Sequence, residues 1–441
     1  PAYFGWWFGF RFEAITGFPS RPFFICMRAG LFACLFILTT WAPAAFSKAN
    51  SSQGEEVQQL AVIVNRALES NPEIQAAQAA ADAAKARLTG AGLPLNNPEL
   101  ELGAERTDIS TYAVGISQTI DWHDKQSAFE QAARAELTAT RARVEALRLT
   151  KANELLDAIG SVAAHHEITS LAKRRTEILN RFVQLAERRH SAGDISQAEL
   201  ELARLSLAEA VMQHAGNGSE LIQAKGEYFS LSGQMPSSRV TFPDLLPMTL
   251  PGTQDEEALV QNHPQVQAAL QKAQSARQQI QAADRERKAD PTLGLAAGRE
   301  DTESLIALSI SIPLQVRNDF RSNVDAAQAE ALQAEQEAHQ VYRNLQARLN
   351  SARERYKLVA NASALWLTQG RVSLQQNIQL LEALWRAGEM STTDYLLKVQ
   401  QTLDTQIAGV ELHGNLCNAW IKWLSASGTL NSWLNQSSTE Q

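Results

Sequence analysis

The sequence is poor in the features that usually betray chemistry. Only three of its 441 residues are cysteine, Cys26, Cys34 and Cys417, too few and too scattered for a disulfide framework or a thiolate zinc site. Basic residues are not in excess: 40 Lys and Arg face 48 Asp and Glu, a net charge of −8, the wrong sign for a nucleic-acid binder. No run of eighteen apolar residues occurs, which excludes a polytopic helical membrane protein. Phosphate loop, dinucleotide fingerprint, nucleophile elbow and paired catalytic carboxylates are all missing, so neither enzyme activity nor a cofactor is expected. Among the histidines, His165 and His166 are adjacent and point to different helix sides. None of His123, His190, His214, His263, His339 or His413 is expected to have a second His or a Cys at ligand spacing, so no metal site is expected either.

What is present begins with an unusual terminus. Residues 1–26 are crowded with aromatics without periodicity and read as translated upstream sequence rather than a domain. From Met27 the pattern becomes that of a signal peptide, residues 27–49. Arg28 supplies the positive region, Leu31 to Trp41 the apolar region, and Ala42-Pro43-Ala44 or Ser47-Lys48-Ala49 a small-residue cleavage site. Leu31-Phe32-Ala33-Cys34 also faintly resembles a lipobox, the alternative route of export. Without residues 1–49 the chain loses four basic side chains (Arg11, Arg21, Arg28, Lys48) and one acidic (Glu13). The remaining 392 residues then carry 36 positive and 47 negative groups, a net of −11.

That remainder is a duplication. Ala67-Leu68-Glu69-Ser70-Asn71-Pro72-Glu73-Ile74-Gln75-Ala76-Ala77 returns as Leu259-Val260-Gln261-Asn262-His263-Pro264-Gln265-Val266-Gln267-Ala268-Ala269. Asn97-Pro98 matches Asp290-Pro291, Gly115-Ile116-Ser117 matches Ser309-Ile310-Ser311, and Ala192-Gly193-Asp194 matches Ala387-Gly388-Glu389. The offset drifts only from 192 to 195, too little for chance. The units span residues 50–231 and 254–430, joined by a Pro- and Ser-rich linker at 232–253 and followed by a polar tail, 431–441, expected to fray.

Each unit reads as helix, strand pair, very long helix, tight turn, helix. Lys125 to Glu187 holds no proline and only Gly160, with a heptad-like seam at Ala133, Leu137, Thr140, Val144 and Leu147. The second unit repeats this from Arg321 to Arg386, Gly370 being its single interior glycine. In the strand pairs the period is two. Tyr112, Val114, Ile116 and Ile120 alternate with Ala113, Gly115, Ser117 and Thr119, and Ile306, Leu308, Ile310 and Ile312 with Ala307, Ser309 and Ser311. A half-buried sheet gives such alternation, and so does a transmembrane barrel strand, which needs about 9–11 residues, apolar outward and polar inward. Four strands cannot close a barrel, but several chains contributing four each can.

Taken together, the signal peptide, the duplicated units, the Asn-Pro and His-Pro helix starts and the glycine in each distal turn resemble the TolC-type outer-membrane efflux factors over roughly residues 57–427. Val114-Gly115-Ile116-Ser117-Gln118-Thr119-Ile120-Asp121 and Leu308-Ser309-Ile310-Ser311-Ile312-Pro313-Leu314 are similar to the heavy-metal (cobalt, zinc, cadmium) branch. Asp124-Lys125-Gln126 departs from that branch's Gly-Lys-Arg, and Asp319-Phe320-Arg321 from its Gly-containing junction.

The resemblance implies a mainly α fold with a small transmembrane β part. Antiparallel coiled-coil helices would form an α-barrel and four strands per protomer a trimeric twelve-stranded β-barrel in the Gram-negative outer membrane, extending into the periplasm. It implies a passive export conduit of a tripartite efflux system, with a homotrimer, a periplasmic adaptor, an inner-membrane RND pump and outer-membrane lipids as partners. The cargo would be heavy-metal cations, with drugs, small organics or type I secretion as the alternative. A periplasmic coiled-coil scaffold without pore activity is the reading of another class. On this resemblance Tyr112, Val114, Ile116, Ile120, Ile306, Leu308, Ile310 and Ile312 face lipid. The adaptor docks at Arg189, Gly193, Asp194, Ser196, Arg386, Gly388 and Ser391, and Asp394 with Glu389 forms a periplasmic gate. Leu397 stands where the family commonly has a second gate aspartate.

Overall fold

The computed structural model describes residues 44–236, 242, 246, 247, 250, 255–371, 374 and 377–436. Residues 1–26, nearly all of the signal peptide with the lipobox-like stretch, most of the linker and the last five residues lie outside them. The chain divides at Lys48/Ala49, and the unit that begins at Ala49 carries both repeats.

Helix α1 (Ala44–Ser70) stops where Pro72 removes a backbone donor, and α2 (Pro72–Ala91) restarts at once. Strands β1 (Glu99–Arg106) and β2 (Ser110–Thr119) form a hairpin. The 68-residue α3 (Lys125–Ala192) follows, then α4 (Gln197–Ser232). The second repeat runs through α5 (Glu256–Gln261), α6 (Pro264–Glu286), β3 (Thr292–Glu300), β4 (Glu303–Ser311) and α7 (Arg321–Leu365). It finishes with α8 (Asn377–Arg386), α9 (Thr392–Ser427) and α10 (Leu430–Gln436). At about 1.5 Å per residue α3 is roughly 100 Å long, several times the width of a compact domain. It packs along α2, α4, α6 and α9, while α7 packs on α6 and α9.

The duplication is visible in caps as well as in elements. Asn71 and His263 each cap a helix whose first residue is proline. The Asn71 amide accepts from the N–H of Glu73 at 3.0 Å and donates to Leu231 O at 3.4 Å, at the end of α4. His263 Nδ1 accepts from the N–H of Gln265 at 3.2 Å, and Nε2 donates to Ser425 O at 2.8 Å, at the end of α9. The same clamp thus closes each repeat, with a different side chain.

Two expectations are corrected. The long helix of the second repeat is not uniform: after Leu365 it widens into a π-helical turn, Trp366–Gly370. The half-buried Trp366 ring lies against Gly370 and Gly409, where a Cβ on either glycine would collide with it. Seating an indole there takes one extra residue in the turn. Nor is the start of the tail frayed. Residues 431–436 belong to α10, because Leu430 and Leu434, one helical turn apart, are both buried and Trp433 stacks on Phe242 of the linker.

Two apolar clusters hold the helices. One joins α1, α3, α7, α9, α10 and the described linker residues around Leu155, Leu156, Tyr356, Trp420 and Ile421. The hydroxyl of Tyr356 donates to Pro247 O there, and burial pushes its pKa up to about 12. The other cluster lies at the far end of α3, around Phe182, Trp385 and Tyr395.

Candidate functional site

The four strands form one antiparallel sheet in the order β1-β2-β3-β4, so the repeats join through β2 and β3. Register settles the faces. Leu100 pairs with Ile116, Ile116 with Leu295, and Leu295 with Leu308. Leu102, Val114, Ala297 and Ile306 form the next row of the same face. Among the described residues these side chains are left exposed: Ile306 and Leu308 are 78% and 76% exposed, and Tyr112, Val114, Ile116, Ile120, Ile310 and Ile312 are exposed too. The opposite face holds Gly115, Ser117, Gly294, Ala296 and Ser309, with Glu99, Glu101, Glu105, Glu300 and Glu303 on the same face. Nothing in the described chain pairs with the outer edges of β1 and β4. An apolar face of this size in water, with open edges beside it, is unstable unless lipid and further strands cover it.

At the other end of the molecule two turns lie side by side. Gly193 and Gly388 both sit in the left-handed region, at φ +84° and +81°, which a side chain would disfavour. In each, a glycine N–H and the N–H after it take the last helix carbonyls. Gly193 donates to His190 O and Asp194 to Arg189 O at 2.9 and 2.8 Å, Gly388 to Trp385 O and Glu389 to Leu384 O at 3.1 and 3.0 Å. This is the left-handed C-cap that ends helices at glycine. Ser196 then caps α4 in a full capping box with Glu199, whose carboxyl is held below its ordinary range by the N–H and hydroxyl of Ser196. Ser391 caps α9 with Asp394: its Oγ accepts from the Asp394 N–H at 3.1 Å and donates to Asp394 Oδ2 at 2.8 Å.

The sequence carries no signal for what joins these tips. Arg189 lays its guanidinium over the Trp385 ring at 4.5 Å and donates to the carbonyls of Trp385 and Arg386 at 3.3 and 3.0 Å. Beneath it Phe182, Trp385 and Tyr395 stack with centroids 4.5 to 5.5 Å apart. Burial raises the Tyr395 hydroxyl to about 12. The two tips therefore act as one body, with Gly193, Asp194, Ser196, Arg386, Gly388, Glu389, Ser391 and Asp394 exposed around it. Further up, the buried Arg175 ties α3 to Gln213 of α4 at 2.7 Å and to Asp404 of α9 at 3.0 Å.

The histidine reading needs one correction. His413 and Cys417 lie four residues apart on α9, and Nε2 and Sγ approach to 3.6 Å. That spacing brings side chains together on a helix. No group of three or more His, Cys, Asp or Glu side chains able to hold a metal occurs among the described residues. His190, flanked in sequence by carboxylates, instead lies 3.1 Å from the Ile195 carbonyl.

Residues 63–233 match the family described as outer membrane efflux protein, a match that starts in α1 and ends as α4 does. That segment, 171 of the chain's 441 residues, is similar to the family. The second repeat carries the same elements beyond the matched segment. The chain has no match among curated protein sequences. Its fold is shared with solved structures of low identity. CusC, described through the conformational changes of its folding and transmembrane channel formation, is 17% identical with a TM-score of 0.70, covering 84% of this chain and 92% of its own. The Campylobacter jejuni CmeC outer membrane channel is 15% identical with a TM-score of 0.71, covering 86% and 89%. The outer membrane protein VceC from Vibrio cholerae is 19% identical with a TM-score of 0.68, covering 84% and 96%.

Proposed function

We propose that three copies of this chain assemble side by side into a passive export conduit. β4 of each copy pairs with β1 of the next, and twelve strands close a barrel whose apolar face meets lipid. Below the barrel the long helices line a tunnel through the periplasm. The fused helical tips, with Arg189, Gly193, Asp194, Ser196, Arg386, Gly388 and Ser391, dock a periplasmic adaptor, and an inner-membrane RND pump loads the tunnel. Asp394, with Glu389, sets a ring of carboxylates at the periplasmic mouth. One observation carries this reading: a two-faced sheet with two open edges, joined to a helix about 100 Å long.

Heavy-metal cations are the cargo that fits. The strand motifs at 114–121 and 308–314 are similar to the metal-exporting branch. Five glutamates on the small-residue face of the sheet would also concentrate cations in the lumen. Mass measurement of the detergent-purified protein and conductance in planar bilayers test the conduit, and a monomer without pores would defeat it. A strain lacking the gene should become sensitive to zinc, cobalt or cadmium. Sensitivity to drugs alone would reassign the cargo.

A further inference from the structure

Beside the clamp at His263, four helices border a solvent-open pocket of about 350 Å³, in which Arg348 and Arg355 are both exposed. Arg348 and Arg355 reach it from α7, Lys422 and Ser425 from α9, Asn153 from α3, and Gln265 from the start of α6. None of its lining residues is a carboxylate.

The charges there are handled differently from their neighbours. On the same helix Arg353 pairs with Glu256 and Glu354, and Lys357 with Glu354. Among the described residues Arg348, by contrast, reaches only a backbone carbonyl and Gln265 Oε1, both at 3.4 Å. Arg355 makes no hydrogen bond or ion pair among the described residues and acts on Asp157 only through space. Lys422 is the direct partner of Asp157, which stands outside the cavity and also accepts from Asn418 at 3.0 Å. Two guanidinium groups therefore line one space, Arg355 lying between it and the neighbouring cavity that holds Asp157. The positive end of α6 adds to their field.

We propose that this cavity binds a phosphate-type oxyanion, either the free ion or one carried on a small organic molecule. Guanidinium groups suit such a ligand because each presents a planar fork of donors to two oxygens at once. Ser351, Ser425 and Gln265, also in the lining, supply neutral donors. The volume lies at the small end of the roughly 300–1,000 Å³ typical of small-molecule pockets. Occupation would lock α6, α7 and α9 together where the second repeat begins.

The test uses the full chain purified in detergent, titrated with inorganic phosphate and with glycerol 3-phosphate against potassium chloride of equal ionic strength. Expected is a saturable rise in melting temperature with at least one of the two phosphates, absent in chloride. Which of them acts more tightly separates the free ion from the ester. Arg355→Gln breaks no hydrogen bond or ion pair among the described residues, so it should fold and weaken the apparent affinity at least tenfold. No saturable rise with either phosphate, or one that Arg355→Gln leaves intact, overturns the proposal. Because binding is the readout, the result stands apart from whether the protein forms pores.

Discussion

Replacing His263 tests how far the junction between α6 and α9 depends on one side chain. In His263→Ala two interactions disappear. The helix cap is worth about 1 kcal/mol, and leaving the Ser425 carbonyl without its donor costs about 1 to 3 kcal/mol. The expected loss is therefore about 2 to 4 kcal/mol per protomer. His263→Asn installs the side chain that performs the same task in the first repeat, as Asn71 does, and should recover more than half of that. The two variants also differ from wild type in pH response. Burial above all, with the nearby Arg348 charge, lowers the His263 pKa, against the opposing effect of its bond to Ser425. A histidine whose folded pKa lies below the unfolded value of about 6.5 favours unfolding once the solution is more acid than that value. Stability is then full above pH of about 6.5 and falls as pH drops toward the lowered folded value. One proton limits the slope to about 1.4 kcal/mol per pH unit. Chemical denaturation of the purified protein at stepped pH measures both effects. If His263→Asn keeps the wild-type acid slope, or His263→Ala costs no more than His263→Asn, the clamp is not the source of either.

Leu308→Arg, on the exposed apolar face of β4, should cost about 2 to 4 kcal/mol if that face meets the bilayer core, while Ser309→Arg on the other face should still assemble. Membrane fractionation compares them, and equal yields would deny the lipid contact. Arg189→Ala should loosen the tips, seen as faster hydrogen exchange at the amides of Gly388 and Glu389, with the membrane end unchanged. Loss of the cation–π contact alone is worth about 0.5 to 2 kcal/mol. Asp394→Asn keeps an acceptor for Ser391, so stability should move by less than about 1 kcal/mol while cation selectivity in bilayers falls. Unchanged selectivity would remove Asp394 from the gate.

Much of the fold is legible in the sequence because the signals are local. A proline-free stretch with a heptad-like seam at Leu137 and Val144 makes a long helix wherever it packs. Glycine at 193 and 388 forces a turn through its own backbone freedom, and the alternation in Tyr112 to Ile120 sorts one face from the other. Internal repetition then doubles each inference, since the same elements return about 193 residues later. Less legible are the features whose partners lie far apart in the chain. Arg189 reads as a free tip residue until Trp385 is found beneath it, and His413 reads as isolated unless its helical spacing to Cys417 is weighed.

By itself, the sequence determined the elements, their order, their two faces and the turns that end them, because periodicity and backbone preference act within a few residues. Tertiary structure alone decided that β2 meets β3 and that Arg189 crosses to the second tip. It also decided that Trp366 opens a helix into a π turn and that Arg348, Arg355 and Lys422 converge on one cavity. Those outcomes depend on the axial rotation and register of helices tens of residues long, where a shift of one residue turns a side chain about 100° around the axis. No local pattern in the sequence encodes that choice.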